Sequence, residues 1–293
     1  MTRLSEIQGH IASMGELQDI VGAMRSLAGM RVQEAQRALP GIRGYADSMA
    51  AGIGSALLLM PRPVMQTRRG RSRHALVVCT AEHGFVGGFN ERMLEAAEAV
   101  LEPPDLLFML GSRGAALALE HGREPAWTKF MASRPVGAPD VVNGLTGELY
   151  ARIARDEIAQ VDVMFSRYHQ GCPSTIERRR LLPVDTAALA SKPARQVPRH
   201  YLPPRDLLEK LIAEYVFALL TEAAVESIAS ENAARFASME SAHYNVGKKL
   251  ARLREDARQA RQDAITSELL DLITGAEAMR AGCGHATRNS GML

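Results

Sequence analysis

This chain of 293 residues has little of what a large sheet-built core needs. Aromatic residues make up only 5% of it, with a single Trp, against 46% apolar residues in all, a balance that suits extended helix packing. Its three cysteines, Cys79, Cys172 and Cys283, are widely spaced and odd in number. They support neither a disulfide framework nor a zinc cluster and read as the reduced thiols of a cytosolic protein. Net charge is only +2, so no bulk electrostatic attraction to nucleic acid or an acidic membrane is expected. No apolar run approaches the ~18 residues of a membrane span, and Glu6, Gln8 and His10 interrupt any signal-peptide core. The expectation is a soluble protein, free to dock on something that is not.

Residues 205–279 lack proline altogether and hold two glycines, Gly247 and Gly275. Ala, Leu, Glu, Arg, Gln and Lys dominate them, which predicts one continuous helix of roughly 110 Å. Val246, Leu250, Leu253, Ala257, Ala260 and Ala264 alternate steps of four and three, the spacing of a coiled-coil seam. The opposite face, with Lys248, Lys249, Arg252, Arg254, Glu255, Asp256, Arg258 and Arg261, is polar. A partner helix is available at the other end of the chain. Leu4, Ile7, Ile11 and Met14 are followed by Leu17, Ile20 or Val21, Met24 and Leu27, a helical stripe with a small drift. Pro40-Gly41 is expected to break or kink this helix before a second apolar run from Met49 to Met60.

The middle of the chain has a different texture. Residues 75–80 and 106–110 are short apolar runs, typical of buried parallel strands. Helices are expected at 91–101, 112–121 and 143–160, a weak strand at 127–131, a clear one at 161–168 and a paired edge strand at 175–182. Alternating strand and helix of this kind predicts a small α/β domain with a mainly parallel sheet. The fold expected is therefore α/β plus long helices: an antiparallel coiled coil of the terminal helices with an inserted Rossmann-like α/β domain. Its parts are residues 1–60, 74–182 and 205–280, with 281–293 a disordered tail. The basic linker between Pro61 and His74, with Arg62, Arg68, Arg69, Arg71 and Arg73, has no interleaved aromatics and reads as solvated rather than as a nucleic-acid contact.

Chemistry is scarce. The turn Glu82-His83-Gly84-Phe85-Val86-Gly87-Gly88-Phe89-Asn90 follows the first strand and precedes a helix, where a doubly wound sheet would cradle a phosphate. It is neither GxGxxG nor a P-loop, and reads as a tight structural turn built on Gly84, Gly87, Gly88 and Asn90. Glu82 and His83 could form an acid–base pair but have no nucleophile or metal partner nearby in sequence. The histidines show no metal-ligand spacing, and Cys283 with His285 lacks two further ligands. No catalytic residue, metal or cofactor is expected.

Four stretches together resemble one family along nearly the whole chain. Arg261-Gln262-Asp263-Ala264-Ile265-Thr266-Ser267-Glu268-Leu269, followed by Thr274-Gly275-Ala276-Glu277-Ala278, looks like the C-terminal signature of the gamma subunit of F-type rotary ATP synthases. Residues 229–239, from Ala229 through Arg235 to Met239, the pair Ala23-Met24, and the glycine turn itself resemble three further signatures of that family. The resemblance implies a non-catalytic central-stalk rotor. Its terminal helices would form a shaft within three alpha and three beta subunits, and its α/β domain would lie against the epsilon subunit and the c-subunit ring. It implies one copy per complex, peripheral on the cytoplasmic face of the inner membrane, with no nucleic acid. Met24, Arg25, Arg261, Gln262 and Thr266 match positions that contact the beta subunit.

There are departures. Glu16 and Asp19 stand where the family has lysines, Arg258 where it commonly has Asn, and His83, Phe85 and Val86 replace residues of the glycine signature. Pro40-Gly41 is unusual in a shaft helix, and the tail is long. These point to a divergent gamma, of the sort expected in an alternative, sodium-type ATPase. Two other classes compete: a nucleotide-binding α/β enzyme using Gly84 to Gly88, and a free coiled-coil adaptor that self-associates.

Overall fold

The computed structural model describes residues 2–60, 73–190 and 200–286. Most of the basic linker and residues 287–293 lie outside the described residues. The chain divides into two compact units, one of Met1–Met24 with Met239–Leu293 and one of Arg25–Ser238. The first helix, α1 (Thr2–Leu57), and the last, α6 (Pro204–Ala286), contribute to both.

Unit one is a pair of antiparallel helices. Gly22 packs on His243, and Gly247 on Gln18, so four residues up α1 correspond to four residues down α6. The expected seam on α6 is observed: Leu250 is buried, and Val246, Leu253, Ala257 and Ala260 are partly so. Ala264 is exposed, as are all residues from 261 to 277. Carried on, the register sets Thr2, the first residue of α1, opposite Asp263. The last helix also runs beyond Met279 to Ala286, into the stretch expected to be tail.

The seam on α1 differs from the expected one. Leu4, Ile7, Ile11, Met14, Gln18 and Val21 are partly or fully buried in this unit and alternate steps of three and four; Gly15, Gly22 and Met24 beside them are partly buried too. Leu17 and Ile20 are 40% and 57% exposed. There is no drift; polar Gln18 occupies a seam position and hides the true repeat.

Unit two carries the sheet. Strands β1 (Arg73–Cys79), β2 (Leu106–Leu110), β3 (Trp127–Lys129), β4 (Ile158–His169) and β5 (Cys172–Leu182) lie in the order β3-β2-β1-β4-β5. All pairings are parallel except that of β5 with β4. Helices α2 (Phe89–Glu98) and α3 (Ser112–Glu120) cover one face, where Phe89, Met93, Leu94 and Ala97 meet Leu76, Val78 and Met109. The other face packs α4 (Ala138–Ala154) together with parts of α1 and α6 against Val77, Cys79, Phe108, Val163 and Phe165. A short helix, α5 (Thr186–Ala190), comes after β5.

Three expectations change here. Pro40 lies inside α1 and does not break it. It is exposed, and the N–H hydrogen bond it cannot donate would have gone to the carbonyl of exposed Gln36, which water can reach. Leu39, 2% exposed, and Ala46, 6%, anchor the helix on both sides of it. Helix α4 begins at Ala138 rather than 143, with Pro139 in its first turn, the position proline favours. It stops at Ala154, and Asp156, at φ 55°, turns the chain into β4.

Candidate functional site

In open α/β sheets ligands bind beyond the carboxyl ends of the strands, where the strand order reverses. Here the reversal lies between β1 and β4, and α6 fills it. Every residue from 218 to 232 is buried, so over this stretch the helix has no solvent face at all. The hydroxyl of Ser227 donates to the carbonyl of Cys79, the last residue of β1, at 3.0 Å. The hydroxyl of Ser230 donates to the carbonyl of Ser166 on β4 at 2.8 Å. Both side chains tie α6 to strand carbonyls, that of Cys79 at the end of β1 and that of Ser166 within β4.

The glycine turn is tied to the same helix. Arg235, 6% exposed, donates through Nη2 to the carbonyl of His83 and through Nε to that of Gly84, each at 3.2 Å. The same guanidinium binds Glu231 at 2.6 Å and Asn232 at 2.9 Å. Burial pushes the Glu231 carboxyl up from its ordinary range, against the pull of Arg235, His83 and the Glu82 amide. Within the turn, Asn90 is buried and its Oδ1 accepts the Ala81 amide at 2.9 Å. Gly87 takes φ 56°, a left-handed conformation that favours glycine. Phe85, at φ 63° and 67% exposed, forms the tip.

Glu82 and His83 are not arranged as an acid–base pair. The Glu82 carboxylate accepts the Ser112 hydroxyl at 2.7 Å, the Ser112 amide at 3.0 Å and the Met131 amide at 2.9 Å. It thereby caps α3, where a negative charge is favoured, and ties down the segment after β3. Burial works to raise the Glu82 carboxyl, but these hydrogen bonds outweigh it and hold it below its usual value. The His83 ring instead meets the Ser133 hydroxyl at 3.1 Å. Arg235 is thus held against the turn, and Ser227 and Ser230 bring α6 into the crevice.

A second cluster, not singled out from the sequence, lies on the same stretch of α6. Glu222 and Glu226 meet Arg43 of α1, Arg179 of β5 and Arg167 of β4. The two glutamates sit one helical turn apart, the signal in the sequence that a common face carried them. Their arginines, far away along the chain, gave no such signal.

The beta-contact candidates are spread over both units. Met24 is half-buried in unit one and Arg25 half-buried in unit two. Arg261, Gln262 and Thr266 are exposed together on α6, and the Thr266 hydroxyl returns to the carbonyl of Gln262 at 2.9 Å. Glu16 and Asp19 are exposed on α1. The far end of α6 presents Ile265, Leu269, Leu270, Leu272 and Ile273, each more than half exposed. Such apolar surface on a charged helix is characteristic of a segment enclosed by something else. Among the described residues no helix is long and apolar enough to cross a membrane.

Comparison with known proteins agrees over nearly the full length. The ATP synthase family matches residues 3–279. The chain is 30% identical to the ATP synthase gamma chain of Paracoccus denitrificans, covering 95% of this chain and all of that one. It is 27% identical to the gamma chain of Nostoc sp., with the same coverage. Its fold matches a chain in the Euglena gracilis mitochondrial ATP synthase structure of OSCP, F1 and c-ring. There the TM-score is 0.65 at 13% identity, over 96% of both chains.

Proposed function

Because the chain belongs to the ATP synthase family, among the gamma chains, we propose that it is the central-stalk rotor subunit of an F-type ATP synthase, non-catalytic in itself. One copy would sit within three alpha and three beta subunits, its α/β unit against the epsilon subunit and the c-subunit ring, peripheral on the cytoplasmic face of the inner membrane. Ion-driven rotation of the ring would turn the shaft, and its asymmetry would drive the beta subunits through their nucleotide states. Arg261, Gln262 and Thr266, with Met24 and Arg25, would contact the beta subunits.

The observation that carries this reading is α6 itself. It is buried on all sides at residues 218–232 and exposed on all sides at 261–277. One end is thus embedded in a folded unit, while the other offers an apolar surface that the described part of the chain leaves uncovered. A rotor held by its foot and turning inside a sleeve needs both properties. Co-expression with the host's alpha and beta subunits tests it. The expected result is a complex with one copy of this chain per three alpha–beta pairs, with ATP turnover lowered by Arg261→Ala with Gln262→Ala. Failure to assemble, or turnover indifferent to the chain, would rule the rotor role out.

A further inference from the structure

A rotor must not slip within its own foot. Along residues 218–232 α6 buries six Ala and Ser residues together with Leu219, Leu220, Val225 and Ile228. Apolar burial has no preferred direction of its own; polar and charged contacts add one. Ser227, Ser230 and Arg235 supply hydrogen bonds to strand and turn carbonyls; ion pairs to other elements come from Glu222 and Glu226.

Glu222 Oε1 accepts Arg43 Nε at 3.0 Å and its Oε2 accepts Arg179 Nη1 at 2.6 Å. Glu226 accepts Arg43 Nη2 through Oε1, and its Oε2 takes the Tyr168 amide at 3.4 Å; Arg167 Nε lies 3.9 Å from Oε1, while its Nη2 pairs with Glu177 at 3.1 Å. Arg43 therefore bridges two carboxylates one turn apart. The glutamate side chains are 7% and 1% exposed, and the arginines reach them from the rim at 27–46%. Arg179 and Arg167 stand over the buried ring of Phe165, 5.3 Å and 5.9 Å from its centroid, which fixes their direction of approach.

Three elements thus meet one face of the helix: α1 through Arg43, β5 through Arg179, and β4 through the Tyr168 amide. Turning α6 by a fraction of a residue would pull charge-assisted bonds away from both glutamates at once, leaving buried carboxylates unpaired. We propose that Arg43, Arg167 and Arg179 with Glu222 and Glu226 form a torsional clamp that locks the angle of α6 within its α/β unit. They are positioning residues for torque transfer. This rests on the rotor reading above and adds to it where, in this chain, torque enters the shaft.

The test uses the whole ATP synthase in inverted membrane vesicles, comparing wild type with Glu222→Gln/Glu226→Gln, Arg179→Gln and Arg43→Gln. ATP hydrolysis and ATP-driven ion pumping are measured on the same vesicles, with thermal stability and subunit stoichiometry of the purified complex. Hydrolysis within about twofold of wild type, with ions pumped per ATP reduced at least threefold and partly restored in Arg43→Lys relative to Arg43→Gln, is the expected result. Arg155→Gln, which removes an exposed ion pair with Glu157, should leave the ratio unchanged. An unchanged ratio in the clamp variants overturns the clamp. So does a parallel loss of hydrolysis, pumping and assembly, which marks a purely structural role. If the wild-type chain neither assembles nor supports pumping, the rotor reading itself falls.

Discussion

The guanidinium of Arg235 on α6 donates to the main-chain carbonyl of His83, 152 residues earlier in the chain, at 3.2 Å. Two stretches read separately from the sequence as family signatures are therefore the two halves of one joint.

That joint depends on a buried ion pair. Arg235→Ala would leave Glu231 buried without its partner, and the carboxyl is already pushed up by burial. The expected cost is about 3–5 kcal/mol, read as a fall in the unfolding midpoint of the purified chain. Glu231→Gln added to Arg235→Ala should recover part of it. A loss below about 1 kcal/mol for Arg235→Ala would mean that the turn does not rely on this contact.

Two helix glycines should respond to alanine with opposite signs. At Gly114 in α3 a Cβ would lie 2.2 Å from Thr80 Oγ1, so Gly114→Ala should destabilise by about 1–3 kcal/mol. At Gly147 in α4 a Cβ meets nothing within 4 Å, so Gly147→Ala should stabilise by about 0.5–1 kcal/mol. Denaturant midpoints of the two variants decide it; equal signs would contradict the packing at the end of β1.

Glu82 predicts a pH dependence. Its carboxyl is held below the ordinary value in the folded chain. The stability it contributes is therefore full above the ordinary carboxylate range and is lost as pH falls through the lowered folded value. Glu82→Gln should cost roughly 1–2 kcal/mol at neutral pH. The gap between the two proteins should narrow as pH falls from neutral through the ordinary carboxylate range and vanish below the lowered folded value. Thermal midpoints across that range measure it, and a constant gap would show that the charge of Glu82 is not what ties Ser112 and Met131.

The uncovered end of α6 should be dispensable to the isolated chain. Leu269 and Leu272 are 55% and 70% exposed, so Leu269→Glu with Leu272→Glu should shift its stability by no more than about 0.5 kcal/mol. Under the proposed rotor role the same variant should assemble poorly with alpha and beta subunits. Normal assembly and turnover would remove these side chains from any sleeve contact.

Much of this architecture stems from periodicities that the chain displays by itself. The apolar runs 75–80 and 106–110 are buried strands because nothing polar interrupts them. Val246 to Ala260 form a seam because steps of three and four keep them on one side of a helix. The long helix is foreseeable from 75 proline-free residues, 205–279.

What tertiary structure alone decided is where a local rule loses. Pro40 was expected to interrupt α1, but its exposed side and the anchorage of Leu39 and Ala46 let the helix pass through it. Gln18 was passed over as a seam residue because it is polar, yet Gly247 packs on it. Residues 218–232 carry three glutamates and would read as partly solvated, but they are buried throughout. Their partners, Arg43, Arg179 and Arg235, come from α1, β5 and the next turn of the helix. Periodicity is a property of neighbours within one element, so it is written in the sequence. The pairing of a buried charge belongs to whichever distant element folding brings against it, and only the folded chain supplies that.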